Sequence, residues 1–187
     1  WQVVANAEKH GGFFWWMDKN EEGTTMITAP EGGKVDPNNY TIERYYSMEK
    51  IPEEYREYVE EIGEIKGNLA YTLGYVKVTK NEFNDTLYVY MNNVGDKLRF
   101  EIRIYPEEIQ RVRETYPGYT FEREFEDEGI SFDVFSKEES SGEYTYIMYF
   151  YYGKEKYIVI GRNDEDRIQD IVIAYKNVVL SHEGNQQ

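Results

Sequence analysis

The chain has 187 residues, the length of a single domain, and its 21 Lys and Arg against 36 Asp and Glu give a formal net charge of −15. A negative field of that size repels phosphate groups, so we expect no nucleic acid as a partner and an anionic lipid surface is unfavourable. The absence of cysteine excludes disulfides, Cys-based zinc sites, iron–sulfur clusters and a thiol nucleophile.

The first 39 residues predict an arm ahead of the main domain. Residues 1–10 favour a short helix, and the aromatic run Phe13-Phe14-Trp15-Trp16-Met17 that follows is typical of a strand or a docking segment. A loop rich in Gly, Pro and Asn over residues 30–39 marks the boundary. We therefore expect residues 40–187 to form one domain.

Two features inside this arm suggest binding. Trp15 and Trp16 are candidate contacts for a ligand or a partner protein. The segment Asp18-Lys19-Asn20-Glu21-Glu22-Gly23 resembles the opening of a calcium loop, but Ala29 stands where the twelfth position requires a bidentate Glu. A polar turn that joins the two flanking segments into a hairpin is the favoured interpretation.

The main domain opens with a predicted helix over residues 51–63. Its apolar residues follow helical spacing, with Pro52 in the first turn and Gly63 as the C-terminal stop. Three segments rich in Tyr, Val, Leu and Ile then predict an antiparallel meander over residues 70–79, 86–91 and 97–105.

A second helix is expected over residues 106–116, because Pro106 opens the segment and Ile109 and Val112 lie three residues apart. Strands resume in two hairpins, over residues 119–126, 130–136, 143–152 and 156–162. A closing helix follows residues 163–166. The predicted fold class is α+β, in which antiparallel meanders form a twisted sheet with helices packed mainly on one face.

Catalytic motifs are absent from the sequence. It contains no nucleophile elbow, zincin helix, Walker A loop or dinucleotide-binding glycine motif. The two histidines, His10 and His182, lie near the termini without a motif around them, and we interpret both as solvated end residues. The sequence therefore predicts no catalytic residues and no cofactor.

Three carboxylates recur at every second residue of one predicted strand. Glu122, Glu124 and Glu126 are expected on one face, with Phe121 and Phe125 on the other. Such a row suits a divalent cation or an acid/base pair, and it is also the usual solvent-facing side of a half-buried sheet. We favour the solvent-facing interpretation and keep the three residues as candidate metal ligands.

Tyrosines occupy both faces of the strand predicted over residues 143–152. Tyr144 and Tyr146 share one register, and Tyr149 and Tyr151 share the other. One face is expected to join the core. The other is either covered or forms an exposed platform that stacks on sugar rings or on a partner protein, and a covered strand is the favoured interpretation.

Three stretches resemble one protein family. They are residues 45–55, which contain Ile51-Pro52-Glu53-Glu54-Tyr55, residues 88–100, and residues 149–161 followed by 164–175. The chain is similar over residues 45–176 to an uncharacterised extracytoplasmic domain family found at the C-terminus of membrane-anchored anti-sigma factors and related envelope proteins of Gram-positive bacteria. Glu54 stands where that family has Gly. The family has no established catalytic residues, so the resemblance implies a non-enzymatic role.

These observations lead to one functional hypothesis and two rivals. We expect a non-enzymatic extracytoplasmic domain of a membrane-anchored envelope or regulatory protein that senses or binds an envelope component or a partner protein. The chain begins at Trp1, and three alternatives stay open for what precedes it, namely a signal peptide, a membrane span, or only a trimmed end of the sequence. The first rival is a secreted carbohydrate- or cell-wall-binding module that uses the tyrosines. The second, a hydrolase that uses the three glutamates, ranks last.

Overall fold

The computed structural model describes residues 41–65, 71–93 and 96–184. Several predicted features lie outside these residues. They are the helix over residues 1–10, the aromatic run with Trp15 and Trp16, the calcium-like turn, the linker over residues 30–39, and His10.

The described residues form one open sheet of eight strands, and every neighbouring pair is antiparallel. The strands are β1 (Thr41–Tyr45), β2 (Thr72–Lys80), β3 (Asp85–Asn93), β4 (Asp96–Ile104), β5 (Thr120–Asp127), β6 (Ile130–Glu138), β7 (Tyr144–Tyr152) and β8 (Glu155–Arg162). Their order is β1-β2-β3-β4-β8-β7-β6-β5, so two four-stranded meanders join through β4 and β8. This confirms the predicted fold class, and it adds β1, which the sequence analysis had not assigned.

Two helices cover one face of the sheet, α1 (Glu53–Glu64) and α2 (Glu165–Gly184), and a short 3₁₀ turn (Met48–Lys50) precedes α1. The Asp164 carboxylate accepts a hydrogen bond of 3.0 Å from the Arg167 N–H, which caps the start of α2. Tyr175 of α2 is fully buried, and its ring meets those of Phe100, Phe150 and Tyr157 edge-on at 5.3–6.1 Å. Neither described helix has the length and apolar content needed to cross a membrane.

Gly161 of β8 lets α2 approach the sheet. A Cβ atom at this position would lie 2.1 Å from Cδ1 of Ile168, which is the first buried residue of α2. A side chain at position 161 would therefore displace the Ile168 side chain from its place in the core.

The helix predicted over residues 106–116 does not form. Residues 105–119, which we call the strap, are irregular and lie against the sheet face opposite the helices. Arg111 and Arg113, two residues apart, both contact Asp133 of β6. An extended chain places residues i and i+2 on one side, whereas a helix turns them about 200° apart. Contacts with the sheet therefore override the weak helical pattern of Ile109 and Val112.

A β-bulge in β5 reverses the predicted faces of Phe121 and Glu122, while the predicted faces of residues 124–126 are confirmed. The pairing of β5 with β6 skips one residue between Phe121 and Arg123, so Phe121 lies opposite Phe135 and Glu124 opposite Asp133. Phe125 instead stacks on Phe132 in the helix-covered core, with ring centroids 4.7 Å apart. Phe121 and Phe125 thus lie on opposite faces, because an extra residue reverses the alternation.

Candidate functional site

The sheet face beneath the strap is rich in charged and aromatic side chains. Lys156 of β8 pairs with Arg103 of β4 on one side and Tyr151 of β7 on the other. Tyr149 of β7 lies opposite Asp133 of β6. The antiparallel register therefore brings two cations, two phenols and a carboxylate onto the same face, where the strap covers them.

Lys156 is fully buried at the centre of this face. Its Nζ lies 2.8 Å from a carboxylate oxygen of Glu114 and donates a 2.9 Å hydrogen bond to the Tyr116 hydroxyl, and both partners belong to the strap. The same Nζ lies 3.8 Å from the centroid of the Tyr149 ring. Burial and the nearby Arg103 charge lower the pKa of Lys156 to about 8, and the attraction of Glu114 offsets them only in part.

Glu114 is the carboxylate that the strap contributes to this face. Its two oxygens accept hydrogen bonds of 3.2 and 3.1 Å from the Arg103 guanidinium, in addition to the contact with Lys156. Burial acts to raise the pKa of Glu114, but the two cations outweigh burial and the pKa lies below its ordinary value. One carboxylate therefore anchors the strap to both β4 and β8.

Asp133 forms the second anchor. Its fully buried carboxylate accepts 2.7 Å hydrogen bonds from the Tyr149 hydroxyl and from Arg111. The Tyr149 hydroxyl in turn accepts a 3.1 Å hydrogen bond from the main-chain N–H of Glu114. Burial and the bond to Asp133 raise the pKa of Tyr149, so the phenol stays protonated and donates.

An open pocket of about 310 Å³ lies where the strap leaves the sheet. Its walls are Asn81, Glu82, Phe83, Asn84, Asp85, Ile104, Tyr105, Pro106 and Lys154. Phe83 is exposed, and the main-chain N–H of Tyr105 donates a 3.0 Å hydrogen bond to the Lys154 carbonyl at the pocket wall. The first residues of the strap therefore form part of the pocket wall. The pocket volume lies at the lower end of the usual range for ligand sites.

The four candidate tyrosines do not form a common platform. Tyr149 is fully buried beneath the strap, and the Tyr151 hydroxyl donates a 3.1 Å hydrogen bond to the Val112 carbonyl of the strap. The prediction that Tyr149 is available for stacking is therefore wrong. Tyr144 and Tyr146 lie on the other face with ring centroids 6.3 Å apart, and Tyr144 is 42% exposed.

The three candidate metal ligands of β5 do not form one row. Glu124 contacts Arg111 at 3.1 Å and Arg113 at 2.7 Å, and its hydrogen bond with Arg111 lowers its pKa. Glu122, the extra residue of the bulge, accepts a hydrogen bond from the Ser136 hydroxyl, while Glu126 is exposed. The predicted row is wrong for Glu122, which the bulge turns away, whereas Glu124 and Glu126 lie on the face opposite Phe125 as predicted. All three are exposed, as the favoured solvent-facing interpretation expects.

A cluster that the sequence analysis missed lies where α1 meets the end of α2. Nε2 of His182 lies 3.0 Å from Glu64, and Nδ1 lies 3.9 Å from both Glu57 and Glu61. The hydrogen bond with Glu64 raises the pKa of His182, whose side chain is 26% exposed. His182 is therefore not the solvated end residue that we predicted. The spacing of Glu57, Glu61 and Glu64 predicts that they share one helix face. His182, which contacts them, lies 118 residues from Glu64 in the sequence, so no local pattern indicates the contact.

Comparison of the chain with protein-family models, curated proteins and solved structures finds no match. The family resemblance therefore stays a prediction.

Proposed function

We propose that the chain is a non-enzymatic sensing or binding domain that lies outside the cytoplasm and is attached to an envelope or regulatory protein of the membrane. The family resemblance supports the cellular placement and the membrane attachment. The single observation that supports sensing is the strap, an irregular segment that begins at a pocket wall and closes over a buried polar face.

The contacts that fix the strap are of a kind that a ligand can compete for. Glu114 and Arg111 bind the sheet through side-chain charges, and the Tyr149 and Tyr151 hydroxyls meet strap main-chain groups at Glu114 and Val112. The main-chain hydrogen bonds between strands break only when the sheet itself unfolds. Side-chain contacts can break while the sheet stays folded, so the strap can be released as a single segment. A ligand in the pocket that contacts Tyr105 and Pro106 thus shifts the strap between bound and released states.

Hydrogen exchange of the full chain under native conditions tests this proposal. We expect the amides of residues 107–116 to exchange through a local opening whose rate depends little on urea, while those of β8 exchange only with global unfolding. Soluble cell-wall fragments, as the probe, are expected to change the exchange rate in the strap. If the strap amides and the β8 amides share one urea dependence, the strap is part of the rigid fold and the sensing role is wrong.

A matched pair of variants isolates the anchor. Glu114→Gln removes the charge that Arg103 and Lys156 contact, and we expect it to accelerate strap exchange at least tenfold without a change in β8. Glu108→Gln alters an exposed glutamate of the same strap and should leave exchange unchanged. Equal behaviour of the two variants would contradict the role of Glu114 as an anchor.

One observation favours the carbohydrate-binding alternative. The partly exposed Tyr144 ring, near-parallel to that of Tyr146, offers one stacking surface for a sugar. In that case soluble glycans quench the Tyr and Trp fluorescence of the chain, and Tyr144→Ala abolishes the quenching while Tyr46→Ala, at another exposed tyrosine, preserves it. Absence of quenching across a broad glycan panel would contradict the carbohydrate-binding alternative, and sensing would be the one remaining proposal.

A further inference from the structure

Three glutamates line one side of α1 near its C-terminal end. Glu57, Glu61 and Glu64 are spaced by four and three residues, so they lie on the same helix face. The last turn of α1 contains no basic residue. Because the C-terminal end of a helix carries a partial negative charge, this is the end at which carboxylates are least stable without a cation.

Glu61 is the most informative of the three. The residue is 6% exposed, and its Oε2 is buried without a hydrogen-bond partner. A buried carboxylate with an unpartnered oxygen requires either a proton or a cation beside it.

The His182 ring completes a ligand set. One oxygen each from Glu57 and Glu61 and a ring nitrogen of His182 all lie within 4.8 Å of one another. Ligands that share an ion at about 2.0–2.2 Å lie at most about 4.4 Å apart, so small side-chain rotations suffice to bring the three atoms onto one centre. Nδ1 is the nitrogen that faces Glu57 and Glu61.

The other ring nitrogen already has the partner that a metal-binding histidine needs. Nε2 lies 3.0 Å from the Glu64 carboxylate. Metal-bound histidines generally donate their second N–H to a carboxylate or carbonyl, which fixes the tautomer that leaves the first nitrogen free to bind. Glu64 is thus placed as the orienting carboxylate rather than as a ligand.

We propose that Glu57, Glu61 and Nδ1 of His182 bind a divalent transition-metal ion of the zinc type, with Glu64 orienting the imidazole. One imidazole with two carboxylates suits Zn²⁺ better than Mg²⁺ or Ca²⁺, which prefer all-oxygen sites. The remaining coordination positions face water, because the Glu57 and His182 side chains are partly exposed. The site is independent of the strap and of the sensing role, and it joins α1 to the end of α2.

Thermal unfolding of the full chain with ZnCl₂ tests the site. An ion that binds only the folded chain raises Tm, by about 5–10 °C when free Zn²⁺ reaches about 100 times its Kd. Mg²⁺ and Ca²⁺ at the same concentration are expected to shift Tm by less than about 1 °C, which separates the site from general attraction to an acidic protein.

Variants assign the shift to named residues. Glu61→Gln and His182→Gln should abolish it, whereas Glu60→Gln on the exposed side of α1 and His10→Gln at the other histidine should retain it. Glu61→Gln removes a buried charge and is expected to stay folded. Glu64→Gln should keep the site and weaken Zn²⁺ binding by about 10–100-fold.

Three results would overturn the proposal. They are a parent chain whose Tm does not respond to Zn²⁺, an equal response to Mg²⁺ or Ca²⁺, and a full Zn²⁺ response in His182→Gln. Co²⁺ gives a second readout that does not depend on stability, since its visible absorption reports the coordination geometry of the bound ion. We expect that absorption in the parent and in His10→Gln, and its loss in His182→Gln.

Discussion

The polar cluster beneath the strap and the polar cluster at the helix ends use similar side chains but balance their charges differently. Under the strap, Glu114 contacts Arg103 and Lys156, and Asp133 contacts Arg111 and Arg113. At the helix ends, three glutamates share the single imidazole of His182. Because a buried charge is tolerated only when it is paired, the buried carboxylates under the strap are balanced by their cations, whereas at the helix ends the buried Glu61 keeps one oxygen without a hydrogen-bond partner.

The effect of a buried carboxylate on stability therefore depends on its hydrogen-bond partners. Asp133 and Glu61 are both buried acids, yet the first accepts hydrogen bonds from a phenol and a guanidinium while the second has an unpartnered oxygen. Removing the charge should therefore weaken the fold at Asp133 and strengthen it at Glu61. Four predictions test this contrast.

The largest effect is expected for Asp133→Ala. The substitution leaves the Tyr149 hydroxyl buried without its acceptor and removes the anchor of Arg111, so we expect a loss of about 3 kcal/mol in the free energy of unfolding. Urea denaturation measures it. Glu126→Ala, at an exposed position of the adjacent strand, serves as the control and should cost no more than about 0.5 kcal/mol. A loss below about 1 kcal/mol for Asp133→Ala would contradict the contrast.

Removing the two partners of the Lys156–Glu114 pair should give unequal effects. Glu114→Gln leaves Lys156 buried without a carboxylate in contact, at a cost of about 2 kcal/mol. Lys156→Met keeps Glu114 paired with Arg103 and fills the same volume, so it should change stability by less than about 1 kcal/mol. The same urea series measures both, and a larger loss in Lys156→Met than in Glu114→Gln is the contrary result.

The lowered pKa of Lys156 makes the free energy of unfolding depend on pH. Its pKa of about 8 in the folded chain lies below the unfolded value, so the folded state binds fewer protons between pH 8 and about 10.5. Stability of the parent relative to Lys156→Met should therefore rise with pH, by about 1–2 kcal/mol from pH 8 to 10. Urea midpoints at pH 7, 8, 9 and 10 provide the measurement, and a difference that falls over this range would contradict the assigned direction.

The smallest effect has the opposite sign. Glu61→Gln removes a buried carboxylate charge whose Oε2 has no hydrogen-bond partner. We expect a gain of about 1 kcal/mol in the free energy of unfolding at pH 8, in buffer that contains a metal chelator. Glu60→Gln, at an exposed position one residue away, should have no measurable effect. A loss of stability in Glu61→Gln would mean that Glu61 is paired in the metal-free chain, and the two clusters would then be alike.

The elements with long, regular patterns could be predicted from the sequence. The apolar and aromatic content of β2, β3, β4, β6, β7 and β8 and the helical spacing of α1 are properties of neighbouring residues, and each of these elements forms within a few residues of its predicted bounds. The last helix, α2, begins where it was predicted. The strap could not be predicted, because Ile109 and Val112 give a helical signal that the contacts of Arg111 and Arg113 with Asp133 override.

The candidate sites depended more strongly on distant contacts. The bulge at Glu122 changes the face of every earlier residue in β5, and no local pattern marks it. Tyr149 has the sequence pattern of a strand tyrosine, and only the strap above it decides that it is buried. Glu61 and His182 are 121 residues apart in number, 182 − 61, and only the packing of α1 against α2 brings them together.

The acidic, Tyr-rich character of the chain, the α+β class, the seven strands β2 to β8 and the two helices α1 and α2 could be predicted from residue types and helical spacing, whereas β1 and the irregular strap could not. The junction of the two meanders at β4 and β8, the position of the strap and the pairing of charges depend on tertiary packing. Charge pairing depends on distances of a few ångströms between residues far apart in the chain, and those distances are fixed when the sheet and helices pack.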